Sequence, residues 1–423
     1  MFRRFMLYRN TRVLRILLLV SFFLSSLPGK SQEQVLEYFL QQGIRNSPLI
    51  RDLNGQIRSN RIDSLMIKAI NKPRVEFRGY AFYAPIVNNL GYSEILTNIA
   101  NLTSVMSISQ PLFNKKTVEA NLLKTGIQGQ SLSNIIRVTK NTLDKTITSA
   151  YLDTWATWSD IKVNRELISF AKEQEKILKS LTENGIYRQT DYLSFMIDLQ
   201  GQELQLNEMN LQFRKQVSDL YLLCGIRDTS LFTPVKPDLK DLLPVKKEAS
   251  PLFARFYLDS LRINNEKIFI DQNYKPAVSW FSDAGLINND PHVIYQNFGL
   301  SFGLNFTLPV YDGNQRKLNH QKLKSEEEIR AGYAGAFNRE YDQQLMQLTD
   351  ELEQTTALLS SVRSLVGNAE MLASQEKELV RSGSGSVAEY LLAVKNWMTV
   401  RKNLNQYEVR LLQIRNEINY LIQ

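Results

Sequence analysis

The residues best placed for chemistry in this chain are two acids. Asp191 and Glu389 each lie six positions beyond a glycine, Gly185 and Gly383, within otherwise helical sequence. An acid in the first turn of a helix interacts favourably with the unpaired amides and positive dipole end found there. A ring of such acids at the narrow end of a tube also biases passage toward cations, and the two roles are compatible. The remaining reactive inventory is thin. His292 falls in a loop between strands and His320 at a helix start, neither at a metal-ligand spacing. Ser382-Gly383-Ser384-Gly385-Ser386 is glycine-rich, but it lacks the preceding strand and the Gly-Lys-Ser/Thr that would hold phosphate. It reads as a turn between helices. Trp155 and Trp158 read as packing residues. Two histidines and nine scattered methionines offer no ladder of metal ligands. The expectation is a protein that is not an enzyme and carries no cofactor and no metal.

Composition narrows the class. The 423 residues are 43% hydrophobic and 22% charged, which suits neither a disordered chain nor a polytopic helical membrane protein. The formal charge of +8 would suggest a nucleic-acid partner, but Arg3, Arg4, Arg9, Arg12, Arg15 and Lys30 supply six of those charges within residues 1–31, where no acid occurs. The rest of the chain is close to neutral, and no nucleic acid is expected as a partner. Five arginines, an uncharged apolar run from Ile16 to Gly29, and small residues Gly29 and Ser31 before Gln32 have the build of a secretory signal. The run is short of the ~20 residues a spanning anchor requires. Cys224 is the only cysteine, so no lipid is attached at the cut and no intramolecular disulfide forms.

The elements that must position the two acids come from a duplication. Ser47-Pro48-Leu49 recurs as Ser250-Pro251-Leu252, and Lys72-Pro73 as Lys275-Pro276, both at an offset of 203. Pro111 and Pro309, Gly185 and Gly383, and Tyr192-Leu193 and Tyr390-Leu391 share an offset of 198. A single five-residue length change reconciles the two registers. The resulting organisation is a signal at 1–31, a first repeat at 32–225, a linker at 226–249 and a second repeat at 250–423. The linker is marked by Pro234, Pro237 and Pro244.

Each repeat changes periodicity in the same order. An amphipathic helical stretch (Glu33 to Asn71, then Pro251 to Asn273) precedes an alternating, aromatic-rich section (Arg74 to Phe113, then Ala277 to Tyr311). In the clearest strand Phe298, Leu300, Phe302, Leu304, Phe306 and Leu308 alternate with small or polar residues. Tyr80, Phe82, Tyr83, Tyr92, Trp280, Phe281 and Tyr295 enrich its neighbours. This pattern suits a membrane-spanning β-strand of ~9–11 residues. Long helical sections follow, Asn114 to Asn184 and Asn314 to Ser382, the first on the order of 100 Å at ~1.5 Å per residue. A second helix then runs to Cys224 and to Gln423. Leu404, Tyr407, Leu411, Ile414, Ile418 and Leu421 step by threes and fours, the pattern of a coiled-coil seam. Leu206, Met209, Phe213, Gln216, Leu220 and Leu223 repeat those steps. Polar residues over the rest of these helices suit a thin helical wall wetted on both sides.

The arrangement resembles the TolC-like outer-membrane efflux protein family. The likeness rests on Asn46-Ser47-Pro48-Leu49, on Ser109-Gln110-Pro111-Leu112-Phe113, on Thr307-Leu308-Pro309-Val310-Tyr311-Asp312-Gly313, and on Asn184-Gly185-Ile186 with Asp191. It implies a mixed α/β membrane protein with a two-fold internal repeat. Four transmembrane strands from each protomer would join a trimeric, twelve-stranded outer-membrane barrel, continued by a long coiled-coil helical tunnel in the periplasm. Gly185, Ile186, Gly383 and Ser384 map to the tips that contact a periplasmic membrane-fusion adaptor coupled to an inner-membrane pump. Asp191 and Glu389 map to the periplasmic entrance. Where the family often carries a basic residue after the second tip glycine this chain has Gly385, and a second acid one turn beyond falls at Leu392.

The leading functional expectation is a passive duct for small-molecule export in a tripartite efflux system, in contact with outer-membrane lipid. The duct of a type I protein secretion system is the alternative. A metal-ion exporter is disfavoured by the ligand inventory, and a structural envelope spacer would need no open lumen.

Overall fold

The computed structural model describes residues 33–83, 85, 88, 100–239, 246–288, 294–382 and 384–423. The expected signal at 1–31, Tyr92, Pro244, His292 and the tip residue Gly383 lie outside the described residues.

Strand β1 (Glu33–Gln34) leads into helices α1 (Leu36–Asn46) and α2 (Pro48–Ala69). The sequence reads as an amphipathic stretch in which Ser47 before Pro48 marks a helix start, and the structure begins α2 at Pro48. Proline disfavours helical geometry in the residue before it and has no amide hydrogen. Ser47 takes ψ 117°, and Pro48 starts the next helix where a missing N–H costs nothing. Strands β2 (Arg74–Tyr83) and β3 (Ala100–Leu112) follow, then helices α3 (Lys115–Glu183) and α4 (Gln189–Leu223). A short strand β4 (Thr233–Pro234) precedes helix α5 (Pro251–Asn273), strands β5 (Ala277–Asn288) and β6 (Phe298–Thr307), and helices α6 (Gln315–Arg381) and α7 (Val387–Ile422). Ser250 caps α5, its Oγ accepting from the Leu252 amide at 3.3 Å with Pro251 in the first turn.

The chain forms two compact units. One comprises the segment up to Ser47, Leu143–Asp241 and Leu348–Tyr420. Its core gathers Phe39, Ile147, Tyr151, Phe213, Leu220, Tyr221 and Phe232. The Phe39 ring lies 5.1 Å from that of Phe232 and 5.7 Å from that of Tyr151. Burying each such side chain contributes about 1.5–3 kcal/mol. The Tyr151 hydroxyl, at the edge of this core, donates to the Val235 carbonyl at 2.9 Å and accepts from the Val235 amide at 3.0 Å. Phe232 and the parallel pairing of β1 with β4 hold the segment after α4 against this unit.

Along α7 the expected apolar seam is half-buried to buried, Ile414 and Leu421 most deeply, and a second stripe is buried as well. The residues most buried along α7 include Asn405, Val409, Leu412 and Asn416 as well as Ile414. This second stripe carries two asparagines because they face backbone and acid groups of α3. Asn405 Nδ2 donates to Asp160 Oδ1 at 2.7 Å, and Asn416 Nδ2 donates to the Lys145 carbonyl at 3.0 Å. Helix α7 is also tied to α6, with Glu408 accepting from Arg363 and Arg410 paired with Glu351. A helix that packs on two neighbours buries two stripes, and only one of them needs to be apolar.

The second unit, Pro48–Thr142, Leu242–Gln347 and Leu421–Gln423, contains the sheet and the helical segments that flank it in sequence. Leu53, Leu132 and Ile136 pack α2 on α3. Asn134 Nδ2 donates to the Pro251 carbonyl at 2.9 Å and Asn265 Nδ2 to the Ala120 carbonyl at 3.0 Å, joining α3 to α5 through buried polar contacts. The sheet has four strands in the order β2-β3-β5-β6, every pair antiparallel. Its registers bring Arg74 opposite Ser109, Ser279 opposite Pro111 and Ala277 opposite Thr307, so all four strands meet the helical segments at one end.

Candidate functional site: helical tips and the two faces of the sheet

The turn between α3 and α4 closes with a Schellman motif, in which a left-handed residue lets two amides turn back onto the last helical carbonyls. The Ile186 amide donates to the Leu181 carbonyl at 2.9 Å and the Gly185 amide to the Thr182 carbonyl at 3.0 Å. Gly185 supplies the required positive φ, +72°, without a Cβ clash. The Tyr187 amide also reaches the Leu181 carbonyl, at 3.2 Å. At the turn between α6 and α7, the Ser384 and Gly385 amides donate to the Leu379 carbonyl at 3.0 and 2.9 Å. These are the same positions displaced by 198 residues. A Cβ at Gly385 would lie 2.8 Å from the Leu379 carbonyl carbon. Ile186 is 74% exposed, and Ser384 is also exposed.

The two acids do not have equivalent surroundings. Asp191 occupies the third position of α4, and its Oδ2 lies 3.3 Å from Arg188 Nε. The pair is exposed, so it contributes at most about 1 kcal/mol, but it partly neutralises the carboxylate. Glu389 occupies the third position of α7, and among the described residues it has no ion pair. Ser386 stands where the repeat would place an equivalent of Arg188. Asp191 also lines a groove of about 650 Å³ shaped by α3, α4 and α7, together with Asp160, Asp198, Lys395 and Lys402. Glu389 is not part of that wall, although its neighbours Ala388 and Leu391 are. Burial pushes the Asp160 carboxyl up, against the lowering effects of Asn405 and the Lys402 charge. Tyr192 donates to Glu175 Oε1 at 2.8 Å, a contact that raises its phenol. Arg188 is the residue the sequence did not single out, since an exposed arginine before a helix carries no periodic signal.

The sheet separates its charges by face. Residues directly opposite in an antiparallel pair share a face, so the registers can be read across the sheet. One face carries Val75 and Phe77, Met106 and Ile108, Trp280 and Leu286, and the β6 row from Phe298 to Phe306. No charged residue falls on it. Its β6 row is open to solvent, with Phe302 91% and Leu300 78% exposed. The other face holds Arg74, Glu76, Arg78 and Asp283. There Arg78 reaches over β3, hydrogen-bonding Ser107 and pairing with Asp283 at 3.4 Å. Ser107 is 2% exposed beneath this bridge. The sequence pattern showed the alternation but not which strands would share a face, because the pairing of β3 with β5 joins residues far apart in the chain.

An amphipathic four-stranded sheet, carried by a chain with two paired helical hairpins, defines a class: the fold of outer-membrane channels. The chain has the TolC-like outer-membrane-factor fold. It is similar to the outer-membrane channel OprN at 14% identity and TM-score 0.77, over 92% of this chain and 89% of that one. The outer membrane protein VceC from Vibrio cholerae matches at 10% identity and TM-score 0.75, over 92% and 95% of the two chains. The Campylobacter jejuni CmeC outer membrane channel matches at 12% identity and TM-score 0.74, over 92% and 85%. No protein-family model and no curated protein sequence matches the chain.

Proposed function

We propose that the protein is a passive exit duct in the outer membrane, used for small-molecule export and driven by an inner-membrane pump through a periplasmic adaptor. The observation that carries this reading is the charge-free, solvent-open apolar face of the sheet, backed by a polar face with its ions paired. Outward apolar and inward polar residues are what a lipid-embedded barrel around a water-filled lumen requires. Exposing that row of phenylalanines and leucines to water would be a severe aggregation hazard.

Four strands cannot close on themselves, since barrels begin at about eight. Two chains would reach that minimum, but about eight strands enclose a space that side chains fill. Three chains give the twelve strands that leave a lumen, in agreement with the family resemblance. The tips Gly185, Ile186, Gly383 and Ser384 are assigned to the adaptor, and Asp191 and Glu389 to the entrance. The solved structures OprN and CmeC, described as outer-membrane channels, support the duct.

Reconstitution into planar bilayers tests the proposal. Discrete, stepwise conductance is the expected result. Stable insertion with no conductance under any applied potential would overturn the duct in favour of a closed envelope spacer.

A further inference from the structure

The end of the sheet where strands meet helices carries an unusual mixture of groups. Phe113, Val310 and Tyr311 are 88%, 91% and 84% exposed, which places bare apolar and aromatic side chains just beyond β3 and β6. The first turns of α6, which begins four residues after Tyr311, carry cations. Arg316, Lys317, His320 and Lys324 line a shallow cleft with a single acid, Asp271 of α5.

The acid does not neutralise the cleft; it orders it. Asp271 Oδ1 accepts from Arg316 Nη2 at 2.7 Å and from Arg316 Nε at 3.2 Å, and lies 3.1 Å from His320 Nε2. Arg316 is steadied further by its cation–π contact with Tyr274, 5.4 Å from the ring centroid. Asp312 Oδ2 accepts from the Arg316 amide at 2.8 Å and from the Tyr274 hydroxyl, which fixes the start of the helix. Lys317 and Lys324, four and three residues from Gln321 on neighbouring turns, make no ion pair among the described residues. Lys116 and Lys275, at the same end of the sheet, likewise make no ion pair among the described residues. One acid therefore holds an arginine in place, while two lysines on the same helix face keep their charge for something else.

We propose that this junction is a docking surface for the headgroups of anionic phospholipids. The inference rests on the reading of the sheet as lipid-embedded. A lipid whose chains lie along the apolar face has its phosphate at the strand ends, where the cleft begins. The exposed Val310 and Tyr311 lie in the chain between the apolar row of β6 and the basic first turns of α6, and such apolar neighbours favour a lipid over a soluble anion, which would need none. Basic residues at an anionic surface each favour binding about fivefold, and the effect is confined to within about 10 Å at 0.1 M salt.

The test uses the full chain reconstituted into vesicles of equal parts phosphatidylcholine and phosphatidylglycerol, with brominated acyl chains on one lipid or the other. Trp280 lies on the apolar face near this end of the sheet, opposite Leu304 and Gln110, and W280F supplies the background. Quenching of Trp280 should be stronger when the bromines are on phosphatidylglycerol. The difference should vanish in the K317Q/K324Q variant and at 0.5 M salt, with total quenching unchanged. Equal quenching by the two brominated lipids in the native chain, or a preference that survives K317Q/K324Q, overturns the proposal. A preference abolished equally by 10 mM inorganic phosphate overturns it in favour of a free-anion site. Absence of quenching by either lipid overturns it together with the lipid-embedded reading, so the two failures are distinguishable.

Discussion

At the scale of the residue, Asp191 and Glu389 occupy matching helix positions yet differ in their counter-ions, and this makes their roles separable. If the entrance concentrates cations, Glu389→Gln should lower the cation/anion permeability ratio more than Asp191→Asn, because Arg188 already offsets the latter. Arg188→Gln should raise the ratio. Reversal potentials in a salt gradient report all three, and an unchanged ratio in the Asp191→Asn, Glu389→Gln double variant would reduce both acids to helix-dipole partners. Cys224 makes a second residue-level prediction. Its side chain is 1% exposed and burial pushes the thiol up to about 12, so at pH 8 only on the order of one thiol in ten thousand is ionised. The folded protein should resist maleimide labelling for hours and react after denaturation; rapid native-state labelling would contradict the packing around α4. The turn at Gly185 and the place of both acids in the first turn of the helix that follows were legible because a glycine interrupts a long helical period. The Arg188 contact was not, since a salt bridge between exposed residues depends on rotamers rather than on spacing.

At the scale of the element, the strand β6 and the tip after α3 carry the sharpest expectations. Phe302→Arg puts a charge on the uncharged face, where an arginine at mid-membrane depth costs about 2–4 kcal/mol, whereas Ser301→Arg faces the polar side and should be tolerated. Folding yield into lipid vesicles, read as the fraction of heat-resistant assembly, should fall sharply for the first and little for the second. Equal losses would mean that the two faces have been exchanged. Gly185→Val forces a β-branched residue into the left-handed region at a cost of about 1–2 kcal/mol. It should disrupt the Schellman turn and abolish adaptor-dependent export while leaving membrane insertion intact. Strand alternation and the long helices were readable in the sequence, because local periodicity dictates them. The second buried stripe of α7 was not: Asn405 and Asn416 are buried by hydrogen bonds to α3, and a search for apolar heptads passes over polar residues satisfied at a distance. The helix start at Ser47 was legible in Pro48, as the one at Ser250 was in Pro251.

At the scale of the whole molecule, the edges of the sheet make the proposed oligomer testable. Among the described residues β2 and β6 each pair on one side only, and an unpaired strand edge, if embedded in lipid as proposed, leaves amides and carbonyls with no water to bond. Closure by other copies of the chain removes that cost. Because β2 and β6 run in opposite directions, a neighbour's β2 can extend the antiparallel ladder from β6 without any change in topology. Cysteines placed in pairs along the two edges, for example R78C with each of S301C and N305C, should therefore form disulfides between copies at the matching register. The buried native thiol of Cys224 would stay silent in this assay. Non-reducing electrophoresis should then show a ladder ending at three chains, and the mass of the detergent-extracted complex should equal three chains. A ladder ending at two would leave an eight-stranded barrel with a filled interior, and that outcome would remove the lumen on which the duct depends.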